Sequence, residues 1–263
     1  MNNGKNMSNI LAPFFTPLVP EIIGHRGACN STPENTIVSI LKAAKLGAKW
    51  LELDVRLSSD KVPVIFHDDT LDRTTNSYGL VNKLTLKSLK QLDAGSWYDT
   101  SFSGEQIPTL LETINQCLKL GLGINLEIKP NLGEAQETVR ATISVIQEFK
   151  QKLKNNMLFS SFNVSCLQEL LNLAPEWPRG LLLNNFNSDW LDCARSLNCY
   201  SVHPNFECMK NSTDINAVTN LGLYIIPYTV NDRSTAMHLL HLGAKSIITD
   251  NLEALIPNQC KRF

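Results

Sequence analysis

The 263 residues are 43% hydrophobic and 19% charged, a balance that supports a buried core and excludes a disordered polar chain. Lysine plus arginine (24) nearly cancel aspartate plus glutamate (25), leaving a net charge of -1, so no overall basic field draws in nucleic acid or an acidic membrane. The length matches a single α/β barrel, a fold that uses about 250 residues as one unit.

Residues 1–20 read as an N-terminal extension, with an apolar patch over 10–19 that Pro13 and Pro17 interrupt before Pro20 ends it. No small-residue cleavage site follows, and no stretch approaches the roughly 20 apolar residues of a membrane-spanning helix. The expectation is a cytoplasmic protein with no stable membrane insertion and no nucleic-acid partner. Seven cysteines (Cys29, Cys117, Cys166, Cys193, Cys199, Cys208 and Cys260) are an odd number without a CxxC pair. That pattern fits reduced thiols used as small core fillers.

From residue 21 onward, short β-rich runs alternate with helical periodicity. A strand over 21–24 precedes a helix over 35–46, and a strand over 50–55 follows. An additional β-like run over 62–67 breaks the alternation, and 70–107 is then polar and rich in turns. A stretch of that length inside a compact domain suggests a functional cover, here an insertion beside the active face. The alternation resumes with strands over 123–128, 157–161, 180–183, 200–203, 223–229 and 245–249. The helices among them are predicted over 134–154, 164–173 and 234–242. Strand–helix–strand repetition implies parallel pairing. Eight such strands can close into a (β/α)8 TIM barrel, whereas doubly wound open sheets usually stop at five to seven. One barrel domain over 21–256, an insertion at about 70–107 and a tail over 257–263 are therefore expected.

Barrel enzymes gather their chemistry at the C-terminal ends of the strands. The first strand ends in Gly24-His25-Arg26-Gly27. The imidazole can move a proton near neutral pH, and the guanidinium grips phosphate oxygens through paired donors. Alone, this tetrapeptide reads more readily as a polar turn closing a strand. The second strand carries Glu52-Leu53-Asp54, whose alternation puts both carboxylates on one face and Leu51, Leu53 and Val55 on the other. Glu127-Ile128-Lys129 repeats the device with an acid and a base on one face. Three carboxylates on neighbouring strands repel each other unless a cation lies between them. Such an oxygen set suits Mg²⁺ or Ca²⁺ better than zinc. His67-Asp68 adds a second imidazole with a carboxylate beside it. Splitting a phosphodiester requires charge neutralisation, proton removal and proton delivery, and these residue types cover all three.

These segments, together with Pro33-Glu34-Asn35-Thr36, Leu71-Asp72-Arg73-Thr74-Thr75, Ile107-Pro108-Thr109-Leu110 and Leu126-Glu127-Ile128-Lys129-Pro130, resemble the glycerophosphodiester phosphodiesterase family. That family lies within the phospholipase C-like barrel phosphodiesterases, and the chain is similar to its cytoplasmic bacterial type. Ser161-Phe162, Tyr228-Thr229-Val230-Asn231 and Thr249-Asp250 extend the likeness towards the C-terminus. By the resemblance, Glu52, Asp54 and Glu127 would hold the metal, His25 and His67 would be general acid and base, and Arg26 and Lys129 would bind phosphate. Segment 70–107 would cover a glycerol pocket, with Trp97, Tyr98, Phe162 and Tyr228 as candidate substrate contacts. Two departures stand out: Tyr228 where many members have Trp, and Asp60-Lys61 where Asp-Gly is usual.

The resemblance implies hydrolysis of glycerophosphocholine, glycerophosphoethanolamine and similar small diesters to sn-glycerol 3-phosphate and an alcohol. The alternatives are a lysophospholipase D or sphingomyelinase D-like enzyme, which needs an apolar route to the site, and a barrel that binds phosphodiesters without cleaving them. The order of the two histidines in the reaction and the oligomeric state stay open at this point.

Overall fold

The computed structural model describes residues 15–186, 189–209, 215 and 218–256. Residues 1–14 of the expected extension, and the tail with Cys260, lie outside them. Among the described residues nine strands form one sheet: β1 (Ile22–His25), β2 (Trp50–Leu57), β3 (Pro63–Ile65), β4 (Gly123–Ile128), β5 (Met157–Ser161), β6 (Arg179–Leu183), β7 (Ser201–Pro204), β8 (Tyr224–Ile225) and β9 (Ile247–Thr249). Their order is β8-β7-β6-β5-β4-β2-β1-β9, with every pair on that path parallel. The two ends of the order meet through backbone hydrogen bonds from Lys245 N to Ile225 O (2.9 Å) and from Ile248 N to Pro227 O (3.0 Å). The result is an α/β fold whose curled parallel strands resemble a TIM barrel.

Alternation along β2 explains how acids come to lie inside. All eight of its residues are buried. Leu51, Leu53 and Val55 pack outward into the main apolar cluster with helix residues such as Ile40, Ala43 and Ile114. Trp50 faces the other way and joins Ile23, Leu158, Ile226 and Ile248 in a separate apolar plug. Glu52 and Asp54 share the Trp50 face at successive steps towards the strand's C-terminal end. Gly123, paired with Trp50, makes room for the plug, since a Cβ there would lie 2.2 Å from the indole.

The β-like run after β2 is real but turns back: β3 pairs antiparallel with β2, Ile65 opposite Val55. Segment 70–107 folds over it with an apolar cluster of its own, in which Leu71, Val81, Leu89, Ala94 and Ile107 meet Val64 and Phe66. Lys61, at the turn between β2 and β3, adopts φ 63°, the left-handed backbone that glycine accepts more readily. Its ammonium bonds Glu134 and Glu137, both at 2.9 Å. The helix expected over 134–154 is instead two helices, Ala135–Gln147 and Lys150–Leu153. Phe149, at φ -111° and ψ 7°, leaves helical backbone there and packs on the core. The strands expected over 223–229 and 245–249 are shorter than their apolar runs. Pro227 lacks an N–H for the ladder.

The Ile-Pro-Thr-Leu segment has a local explanation. Thr109 caps the helix Leu110–Leu120 in a capping box: its hydroxyl accepts from Glu112 N (3.1 Å), and the Glu112 carboxylate accepts from Thr109 N (2.8 Å). Thr109→Ala is expected to lower stability by about 1 kcal/mol. Urea unfolding should show that loss while turnover stays normal.

At the opposite end, Phe15 packs edge-on against Trp177 with ring centroids 5.0 Å apart. Among the described residues no helix is long and apolar enough to cross a membrane. Cys117, Cys166 and Cys199 are buried free thiols, as expected of core fillers, whereas Cys29, Cys193 and Cys208 are only partly buried.

Candidate active site

β1 delivers His25 to the rim and then turns sharply. Arg26 (φ 50°) and Gly27 (φ 92°) are both left-handed, and a Cβ on Gly27 would lie 2.3 Å from Ser39 Oγ, so only glycine fits. Ser39 ties the turn down, accepting from Ala28 N (2.8 Å) and donating to Arg26 O (3.0 Å). The strained turn aims the Arg26 guanidinium back over the sheet. It donates to Glu34 at 2.7 Å and lies 3.5 Å from Asp54.

Beneath these groups, the carboxylates of Glu52, Asp54 and Glu127 each offer an oxygen within 4.8 Å of the others, a set that could hold a metal ion. Adjacent pairing of β2 and β4, with Asp54 opposite Glu127, makes this possible. Glu52 Oε1 and Asp54 Oδ1 are buried without a hydrogen-bond partner among the described residues. Burial, and then the charges of Asp54 and Glu127, push the Glu52 carboxyl well above its ordinary range. Burial and Asp54 likewise raise Glu127 to about 7. Asp54 is the exception: burial opposes its charge, but Arg26, His67 and Lys129 around it and a hydrogen bond from Asn35 (2.8 Å) hold it below the usual range. Buried, mutually repelling oxygens without donors fit a hard divalent cation.

Both histidines have a carboxylate on Nδ1. His25 meets Asp250 there at 2.6 Å, with Nε2 3.7 Å from Glu52. His67 meets Asp68 at 2.5 Å, with Nε2 3.2 Å from the Lys129 ammonium. Lysine only donates and an ionised carboxylate only accepts, so the neutral His67 ring carries its proton on Nδ1. Burial pushes the His67 pKa down, which leaves the ring neutral near pH 7. Lys129 also bonds Glu127 at 3.1 Å and lies 4.0 Å from Asp54. A chain of ion pairs links the two histidine loops: Arg73 bonds Glu34 (2.7 and 2.8 Å), which already holds Arg26, and also bonds Asp68 (2.8 and 2.9 Å), which holds His67.

These groups surround a pocket of 190 Å³ whose lining includes His25, Arg26, Glu52, His67, Glu127 and Lys129. Phe162 and Tyr228 form its apolar wall, edge to face at 6.0 Å, with the Tyr228 hydroxyl donating to Leu183 O (3.1 Å). Asp54, almost fully buried, reaches the cluster from below the lining. Trp97 departs from the expectation. It does not line the pocket; its indole N–H donates to Ala94 O (2.9 Å) within its own segment, and its ring packs on Tyr98. Tyr98 in turn donates to Asn30 O (2.6 Å), fastening 70–107 to the loop after β1.

Residue-type reasoning passed over several site residues. Asp250 and Asn35 stood in readable motifs, but nothing in their type indicated that one would back His25 and the other hold Asp54. Glu34 and Arg73 are visible as partners only once the loops are folded. Asn125 and Ser160, fully buried and lining the pocket, sit on inward faces that strand alternation could have flagged.

The model of the glycerophosphoryl diester phosphodiesterase family matches residues 25–254. A glycerophosphodiester phosphodiesterase of Caldanaerobacter subterraneus subsp. tengcongensis is 34% identical over 244 residues, covering 89% of this chain and 96% of that protein. A putative glycerophosphodiester phosphodiesterase of Bacillus subtilis is 35% identical over 238 residues, covering 89% and 96%. Among solved structures, an Oleispira antarctica phosphodiesterase in complex with the product sn-glycerol-3-phosphate superposes with a TM-score of 0.86 at 38% identity, covering 90% of this chain and 95% of that one. With its motifs converging on one pocket and the match running from the first histidine into the short helix after β9, the chain belongs to the glycerophosphoryl diester phosphodiesterase family and is a phosphodiesterase.

Proposed function

We propose that the protein is a cytoplasmic, metal-dependent (β/α)8-barrel hydrolase that cleaves glycerophosphodiesters, such as glycerophosphocholine or glycerophosphoethanolamine, to sn-glycerol 3-phosphate and an alcohol. The observation that carries this reading is the single pocket on which two carboxylate-backed imidazoles, three crowded acids and two cations converge. Residues 21–256 form its one domain, and 70–107 is an insertion fastened by Tyr98 to the loop after β1. The small pocket favours a soluble, head-group-sized diester over a lipid that keeps an acyl chain. The product complex of the Oleispira antarctica relative supports glycerol phosphate as the retained half.

Glu52, Asp54 and Glu127 would hold Mg²⁺ or Ca²⁺, which when bound would supply charge neutralisation at the phosphoryl oxygens. Arg26 and Lys129 bind the phosphate, Arg26 with its guanidinium fixed by Glu34 and Lys129 with its ammonium between Glu127 and His67. His25 and His67 divide the proton work. One takes the proton of the attacking hydroxyl and the other delivers one to the departing alkoxide. Asp250 and Asp68 fix each ring so that Nε2 faces the pocket. Phe162 and Tyr228 provide the apolar wall for the glycerol or alcohol portion.

Lys129→Met is expected to raise KM and lower kcat together, by at least about tenfold in kcat/KM, because a charged phosphate loses a partner worth roughly 1.5–3 kcal/mol. Steady-state kinetics check this, and a lowered melting temperature with normal kinetics would make Lys129 structural instead. The substrate class is tested by comparing glycerophosphocholine with lysophosphatidylcholine. Release of sn-glycerol 3-phosphate from the first, with little choline from the second, is expected. The reverse preference would favour lysophospholipase D action.

A further inference from the structure

Cys29 differs from the core thiols. It sits on the loop after β1, partly exposed, and donates to Asp250 Oδ1 at 3.0 Å. The same oxygen meets His25 Nδ1 at 2.6 Å. The imidazole nitrogen, the thiol sulfur and the carboxylate all lie within 4.8 Å of one another. A second cleft of 370 Å³ opens on them, lined by His25, Arg26, Cys29, Asn30, Glu34 and Asp250. It shares His25 and Arg26 with the reaction pocket but none of the three acids of the carboxylate cluster.

We propose that His25, Cys29 and Asp250 form a second metal site, specific for a soft or borderline divalent cation such as Zn²⁺, whose occupation inhibits the enzyme. The donor chemistry separates the two sites. Nitrogen, sulfur and one carboxylate match zinc, whereas the all-oxygen cluster suits Mg²⁺ or Ca²⁺. Bonds of about 2.0–2.3 Å in a tetrahedral shell set the ligand atoms roughly 3.3–3.7 Å apart. The present 2.6 and 3.0 Å contacts therefore open by about 1 Å or less as the cation replaces the protons between these atoms, and water from the cleft completes the shell. Asn231 steadies the carboxylate from behind, donating to Asp250 Oδ2 at 2.8 Å. Burial and the Asp250 charge push the Cys29 thiol up, so without a metal it rests protonated and is a poor nucleophile; a coordinating cation removes that proton outright.

Inhibition follows from the ring's two nitrogens. The cation takes Nδ1; the thiol proton leaves to solvent and the proton from Nδ1 moves to Nε2. A ring pinned at Nδ1 and protonated at Nε2 cannot accept a proton from the pocket, nor pass through the imidazolium that would donate one. The inhibition rests on the proposed proton-transfer role of His25, but the binding does not.

The test is a Co²⁺ titration of the full-length protein in saturating Mg²⁺, followed by near-ultraviolet absorption, with Zn²⁺ inhibition measured in parallel on wild type and Cys29→Ser. The serine hydroxyl can still donate to Asp250, so basal turnover should be kept. Expected are a thiolate-to-cobalt charge-transfer band at one equivalent in wild type, no band in Cys29→Ser, and a Zn²⁺ inhibition constant at least about tenfold higher in the variant. No band in wild type overturns the site. A band accompanied by equal Zn²⁺ sensitivity of the two proteins overturns the inhibition. The band is read without substrate, so failure of the hydrolytic reading, seen as no turnover before any Zn²⁺ is added, would not imitate loss of the site.

Discussion

His25→Ala is expected to fold normally and to lose about 100-fold or more in kcat, the usual scale of general acid–base catalysis. The ring sits at the end of β1, half-buried, with Nδ1 engaged by Asp250 and Nε2 turned towards Glu52 and the pocket. Removing it leaves Asp250 with its donors from Asn231 and Cys29, so the carboxylate is not orphaned and the fold loses little. Rates at saturating substrate, read beside the melting temperature, separate the roles. A large fall in kcat at an unchanged melting temperature marks a proton-transfer group. Unchanged turnover with a lower melting temperature would make His25 a structural tie between β1 and the loop after β9.

Glu52→Gln should produce the second large effect, with opposite signs in two measurements. Activity falls by at least about 100-fold, because the charge neutralisation a bound cation provides is worth several kcal/mol and each 1.36 kcal/mol is a factor of ten. In chelator, however, the variant should be at least as stable as wild type. Glu52 is buried beside Asp54 and Glu127, its Oε1 has no donor among the described residues, and the glutamine removes a charge that both neighbours repel. Thermal melts with and without Mg²⁺ or Ca²⁺ check this. Wild type should gain stability on adding metal, since the cation binds the folded site, and Glu52→Gln should gain little. Equal gains in both proteins would remove Glu52 from the ligand set.

Much of the site could be read in the sequence because strand alternation is a strict geometric rule. Glu52 and Asp54 share a face whatever surrounds them, and an apolar Leu51, Leu53 and Val55 leaves little choice of which face packs on helices. Parallel pairing of β2 with β4, past the antiparallel β3, then brings Glu127 opposite Asp54. What could not be read were contacts between loops far apart in the chain. Asp250 meets His25 across 225 residues, and Arg73 reaches Glu34 from a segment whose own composition indicated only turns. Trp97 illustrates a different limit. An aromatic on a covering segment invites assignment to the pocket, yet its N–H is satisfied by Ala94 three residues away, and Tyr98 makes the tertiary contact instead. The periodicity of 134–154 is continuous, so the break at Phe149, whose partly buried side chain packs on the core, has no local signal.

The central claim, metal-dependent hydrolysis of a glycerophosphodiester, is tested most directly by one assay. Chelator-stripped protein is given glycerophosphocholine, and sn-glycerol 3-phosphate is followed by a coupled enzyme before and after addition of Mg²⁺ or Ca²⁺. No release before metal and sustained release after it is the predicted result. Undiminished release in chelator would contradict the role given to Glu52, Asp54 and Glu127, and no release with either metal would contradict the substrate assignment.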